Sequence, residues 1–245
     1  MRIHPTAIVD SSAELHDDVE IGPYAVIGRG VSLGRGTRVL SHVVLEGPTR
    51  IGEENVIHPF AVVGGLPQAK KEGAAGRLIL GDRNVIREHA TIHRGTQGNV
   101  TQIGSSNLLM VGCHVAHDVS IASHVTLSNG VQLAGHAVIE DYATFGGMSG
   151  VAQFVKVGES AFVAAGAMCE RDVPPFVVVQ GDRARVRALN KVGLRRRGID
   201  DAAIGRLERA FRLLFASKLT RAEALRTIDQ EDDRVRKLLG ALEAD

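Results

Sequence analysis

The chain has 245 residues, enough for one large domain or two small ones, and balances 29 Lys+Arg against 28 Asp+Glu. That near-neutral balance argues against nucleic acid as the main partner, because a phosphate backbone calls for a strong positive surplus. Two cysteines, Cys113 and Cys169, imply no disulfide framework, and nowhere do 18 apolar residues run together, so the expectation is a cytoplasmic, not membrane-spanning protein without a signal peptide. With 28 glycines, 4% aromatics and no tryptophan, the core must be filled by small branched side chains.

Taken in chain order, an aliphatic residue recurs every six positions from Ile3 through Val9, Leu15, Ile21 and onward to Val63. The period resumes at Leu80, Ile86 and Ile92, and again from Ile103 to Cys169. Glycine often follows the aliphatic residue, as at Ile21-Gly22 and Leu80-Gly81. Neither a helical period nor plain alternation fits this spacing; a hexapeptide repeat predicts a parallel β-helix, mainly β, with three short strands per 18-residue coil. This domain is expected over residues 1–175. Val63 to Leu80 spans 17 positions instead of six and Ile92 to Ile103 spans 11, so loops are expected to leave the coil near 64–79 and 93–102. Solenoids eject such insertions to one face, often the binding face.

The register ends at Pro174-Pro175, and residues 176–245 are expected to form a C-terminal α-helical domain of about three helices. Ile204, Leu207, Phe211, Leu214 and Phe215 have helical spacing. Asp200 and Asp201 suit a helix start, and Thr220 with Glu223 has the form of a capping box. Such a domain would cover the last coil, whose strand edges otherwise stand open.

The chemistry concentrates in "VGCHVAHDVS", residues 111–120. Residues 18 apart occupy the same place on adjacent coils, about 4.8 Å apart. Asp118 should therefore lie under His136, and His117 in one column with Gly135 and Gln153; with His114, a polar cluster gathers on one edge. Three readings compete: solvated turn residues, a zinc site built from His89, His93 and His114 or His117, and a histidine–carboxylate pair that takes a proton from an alcohol or amine.

The stretches "IHPTAIVD", "TIHRGT", "GSSNLLM", "HVAHD", "LAGH", "FGGMSGVAQF", "RDVPPFVVVQG" and "GLRRRG", spread over residues 3–198, closely resemble the UDP-N-acetylglucosamine 3-O-acyltransferase family, which catalyses the first step of lipid A biosynthesis. The resemblance implies a homotrimer of left-handed parallel β-helices with sites between subunits. It implies transfer of an (R)-3-hydroxyacyl chain from acyl carrier protein to the 3-position of a UDP-sugar, with no metal and no cofactor. It makes His117 the general base, Asp118 its partner and the Gly135 N–H the oxyanion donor. It makes His114, His136, Gln153, Gln68, Lys71, Asn190, Arg196 and Arg197 substrate contacts, and Ala165 the acyl-length position. A basic region of Arg183, Arg185, Arg187, Arg195, Arg212, Lys218 and Arg221 is either a surface that attracts an acidic carrier protein or a plain solvated face. Two departures stand out: Ala69 replaces the family's sugar-contacting aspartate, and Val192 a frequent glutamate. They leave room for another acceptor, such as a 3-amino sugar, or for a non-catalytic binding protein on the same scaffold.

Overall fold

The computed structural model describes residues 2–68 and 76–243. Strands of two to five residues follow one another around a triangular prism and form three sheets of eleven, nine and eight strands. The coil is a left-handed parallel β-helix. Arg2 pairs with Glu20 and Ile3 with Ile21, which sets the rise of one 18-residue coil. Inward aliphatic side chains stack on their equivalents: Ile27, Leu45, Val63, Ile92, Val115, Leu133 and Val151 are all buried on one face. Each such side chain contributes about 1.5–3 kcal/mol when taken from water.

The strand pairing resumes across both insertions: Ile57 pairs with Ile86, and Ile86 in turn with Leu109, with one register shift at Val63/Gly65 where the first loop leaves the coil. Residues 69–75, which include Ala69 and Lys71, lie outside the described part. The second loop lies between strands Thr91–His93 and Val100–Ile103.

One column of corners carries a polar ladder that the hexapeptide pattern did not reveal. Asn55, Asn84 and Asn107 are buried, and each side-chain oxygen accepts the backbone N–H one coil on, ending at Val125. Their amides donate to Gly81, Gly104 and Ala122 carbonyls, so the turns satisfy themselves without water.

Beyond Pro174-Pro175 the chain does not turn directly helical. Val177–Gln180 adds a parallel strand beside Phe162–Val163, and Arg185–Leu189 pairs antiparallel with it. The β-branched run of valines favours an extended backbone where the hexapeptide has ended. Four helices follow: α1 (Lys191–Arg196), α2 (Asp201–Phe215), α3 (Arg221–Thr227) and α4 (Asp233–Glu243). Asp200 caps α2, and Thr220 with Glu223 forms a full capping box on α3. Short α1, one more helix than the apolar spacing suggested, is capped by Asn190. Among the described residues no helix is long and apolar enough to cross a membrane.

Candidate active site

His117 and Asp118 lie at a corner between strands His114–Val115 and Ser120–Ile121. Asp118 and His136, one coil above, both adopt left-handed backbone, with φ of 62°. That conformation costs a non-glycine residue on the order of 1 kcal/mol, least for Asp, Asn and His, and it fixes the direction in which the two side chains point.

The His117 Nδ1 lies 2.8 Å from Asp118 Oδ2. The carboxylate is 5% exposed and the imidazole 15%. Thr96, from the second inserted loop, donates its N–H to Oδ1 and its hydroxyl to Oδ2, each at 2.9 Å. Burial works against the Asp118 charge, but the bonds from His117 and Thr96 and the nearby His136 outweigh it and hold the carboxyl below its ordinary range. A carboxylate so held fixes the imidazole through Nδ1 and would stabilise an imidazolium if Nε2 took a proton.

His117 opens onto a cavity of about 450 Å³ on the nine-stranded face, shared with Gln68, His93, His114, Gln132, Gly135 and Gln153. Gly135, on the same coil as His136, packs directly against the imidazole: a Cβ built there would stand 2.7 Å from His117 Cε1. Only glycine leaves that space, and among the described residues its N–H donates to no partner. His114 bonds Thr91 Oγ1 at 2.8 Å, and burial next to His117 pushes its pKa down. His93 packs edge-on against His114, and burial, then His114 and His117, lower its pKa to about 4. Both rings are therefore neutral at pH 7, which leaves the cavity polar but without their charge.

The imagined zinc set of His89, His93 and His114 or His117 does not assemble. His89 stacks on Phe60 at a different corner. His117, Asp118 and His136 do bring three potential ligand atoms within 4.8 Å. However, Asp118 Oδ2 already accepts both Thr96 and His117, so the geometry fits a hydrogen-bonded dyad better than a metal cage.

A second cavity, of about 640 Å³, lies on the eleven-stranded face, lined by His124, Tyr142, Asn190, Val192, Arg196 and Arg197 among others. Asn190 is nearly buried; its Oδ1 accepts the Gly193 N–H and its Nδ2 donates to the Ser160 carbonyl. The two cavities share no lining residue.

A family model described as "Udp N-acetylglucosamine O-acyltransferase; Domain 2" matches residues 172–245. The acyl-[acyl-carrier-protein]–UDP-N-acetylglucosamine O-acyltransferase of Gloeothece citriformis is 49% identical over 229 residues, 93% of this chain and 83% of that one. The protein of the same name from Thermodesulfovibrio yellowstonii is 41% identical over 98% of this chain and 95% of its own length. The structure of LpxA from Acinetobacter baumannii superposes with a TM-score of 0.92 at 42% identity, covering 99% of this chain and 96% of that chain. The chain belongs to this O-acyltransferase family.

Of the site residues expected from the sequence, His114, His117, Gly135, Gln153 and Gln68 line one cavity, with Asp118 and His136 immediately behind it. Asn190, Arg196 and Arg197 line the other. Lys71 lies outside the described residues. Ala165 is exposed at a corner and lines neither cavity. Thr96 was missed as a site member, and His93 was considered only as a zinc ligand. "TIHRGT" contains both, but the inserted loop breaks the 18-residue count that would have placed Thr96 against Asp118.

Proposed function

We propose that this chain moves an (R)-3-hydroxyacyl group from acyl carrier protein to the 3-hydroxyl of UDP-N-acetylglucosamine, the first step of lipid A biosynthesis, in the cytoplasm. His117 Nε2 takes the hydroxyl proton as the sugar oxygen attacks the thioester carbonyl. The tetrahedral oxyanion accepts the Gly135 N–H. Collapse breaks the carbon–sulfur bond, and the imidazolium returns its proton to the leaving thiolate. Asp118 holds the ring throughout, and His114, His136, Gln153, Gln68 and Lys71 hold sugar and acyl groups. No metal or cofactor enters.

The observation that carries this reading is the His117–Asp118 bond of 2.8 Å directly beside the side-chain-free Gly135. The family's named activity supplies the substrates. Asn190, Arg196 and Arg197 are assigned to the nucleotide and its phosphates, which suit the planar arginine fork. They face away from His117 on another side of the prism, so a complete site needs two copies of the chain. A homotrimer meets that need by setting the eleven-stranded face of one copy against the nine-stranded face of the next. The same neighbour would supply the wall that lets Ala165 limit the acyl chain.

Val192, an apolar side chain 61% exposed in the nucleotide cavity where the family often has a glutamate, leaves the acceptor open to a second reading, a 3-amino UDP-sugar giving an N-linked acyl group. One assay tests both. Purified chain, hydroxyacyl carrier protein and each UDP-sugar are combined, and the acylated atom is located by NMR. Transfer to the 3-oxygen supports the first reading, faster transfer to a 3-amino group the second; transfer to neither refutes both.

A further inference from the structure

Arg197 is held in a way its neighbours are not. Arg196 is exposed and makes no ion pair among the described residues, and Arg195 pairs with exposed Asp201. The Arg197 guanidinium instead lies over Tyr142, its Cζ 3.9 Å from the ring centroid, and its Nη1 donates to Glu159 and, at 3.0 Å, to Ser160 Oγ. Tyr142 is itself stacked on His124 at 4.7 Å. Both hydrogen bonds fall on Nη1. Nε and Nη2 have no partner among the described residues, a free edge matched to a phosphate.

A carboxylate that orients an arginine also cancels its charge. Here a second cation offsets that loss. Lys237 on α4, 78 residues away in sequence, reaches Glu159 Oε2 at 2.7 Å and Glu140 at 3.1 Å. Lys156 bonds Glu140 at 2.7 Å, and Glu140 also accepts the Glu159 N–H. Arg197, Lys237 and Lys156 against Glu159 and Glu140 leave one net positive charge on the cluster. Burial opposes the Glu159 charge, but the bonds from Lys237 and Arg197 outweigh it and keep the group ionised.

We propose that Glu159 is a positioning residue that aims the Arg197 fork at the substrate diphosphate, and that Lys237 keeps the cluster cationic enough to attract it. This rests on the reading of the Arg197 cavity as the nucleotide site. It makes the C-terminal helix part of substrate recognition and not only a cover for the last coil.

The test uses the full-length chain with UDP as the binding probe and the transfer assay for kinetics. Glu159→Gln keeps an acceptor but frees the arginine from a charged partner. It is expected to raise the Kd for UDP and the KM for UDP-N-acetylglucosamine about tenfold while kcat changes less than about twofold. Lys237→Met is expected to raise both about threefold, and Lys237→Arg to restore them. If Glu159→Gln does not fold, Lys237→Met and its rescue decide the question alone. A folded Glu159→Gln that binds UDP within twofold of wild type, or a loss confined to melting temperature and kcat, overturns the positioning role. A wild-type chain that binds no UDP overturns the nucleotide reading of the cavity, and this proposal with it.

Discussion

Replacing Gly135 by alanine tests the space against the His117 ring. The added Cβ would sit 2.7 Å from Cε1, 3.0 Å from Nε2 and 3.2 Å from Nδ1 of the imidazole. The ring must retreat about 0.7 Å to reach an ordinary 3.4 Å contact. It cannot do so and keep its 2.8 Å bond to Asp118, whose other bonds to Thr96 fix it in place. A catalytic group displaced on the 1 Å scale costs about 100-fold in rate, so Gly135→Ala should lower kcat/KM for acyl transfer by about two orders of magnitude. The backbone N–H survives the change, so the loss reports ring position and not removal of the oxyanion donor. The cavity is open on the far side of the ring, so the melting temperature should fall by only about 2–4 °C. Full activity in a folded Gly135→Ala would refute the close approach and the reasoning built on it.

Three further outcomes follow from the same geometry. Thr96→Val removes the hydroxyl bond to Asp118 Oδ2 but keeps the N–H bond to Oδ1; steady-state kinetics should show kcat down about three- to tenfold with the sugar KM unchanged. His93, with its pKa lowered from 6.5 to about 4, stays neutral in the fold while the unfolded chain takes up a proton. Stability should therefore fall as pH drops from about 6.5 to about 4, by on the order of 2 kcal/mol at most given its partial exposure, and urea titrations of His93→Gln should lose that part of the slope. Co-expressed His117→Ala and Arg197→Ala chains should recover transfer well above either parent, because a site built from two copies can draw one intact half from each; a site within one chain gives no recovery.

The coil was legible because its signal repeats. Twenty-odd aliphatic positions at a spacing of six leave no other regular structure that buries them all, and the strand pairing resumes across the two interruptions, Ile57 with Ile86 and Ile86 with Leu109. The column of His117 and Gly135 was legible for the same reason: a fixed 18-residue rise converts sequence distance into contact. What the period could not reach came from elements outside it. Thr96 sits on an insertion, and nothing in its spacing points at Asp118. Lys237 meets Glu159 only because α4 folds back over the last coil, and amphipathic spacing specifies a helix without saying what it covers. Val177–Gln180 continued the β structure past two prolines because pairing with Phe162–Val163 was available, a tertiary opportunity invisible in the hexapeptide pattern.

The most direct test of the account is the rate of acyl transfer to UDP-N-acetylglucosamine by the wild-type chain and by His117→Ala, measured with (R)-3-hydroxyacyl carrier protein and with folding checked by circular dichroism. General-base catalysis contributes about 10²- to 10⁴-fold, so the wild type should transfer and the folded variant should lose at least 10²-fold in kcat/KM. Transfer by His117→Ala at the wild-type rate would contradict the mechanism.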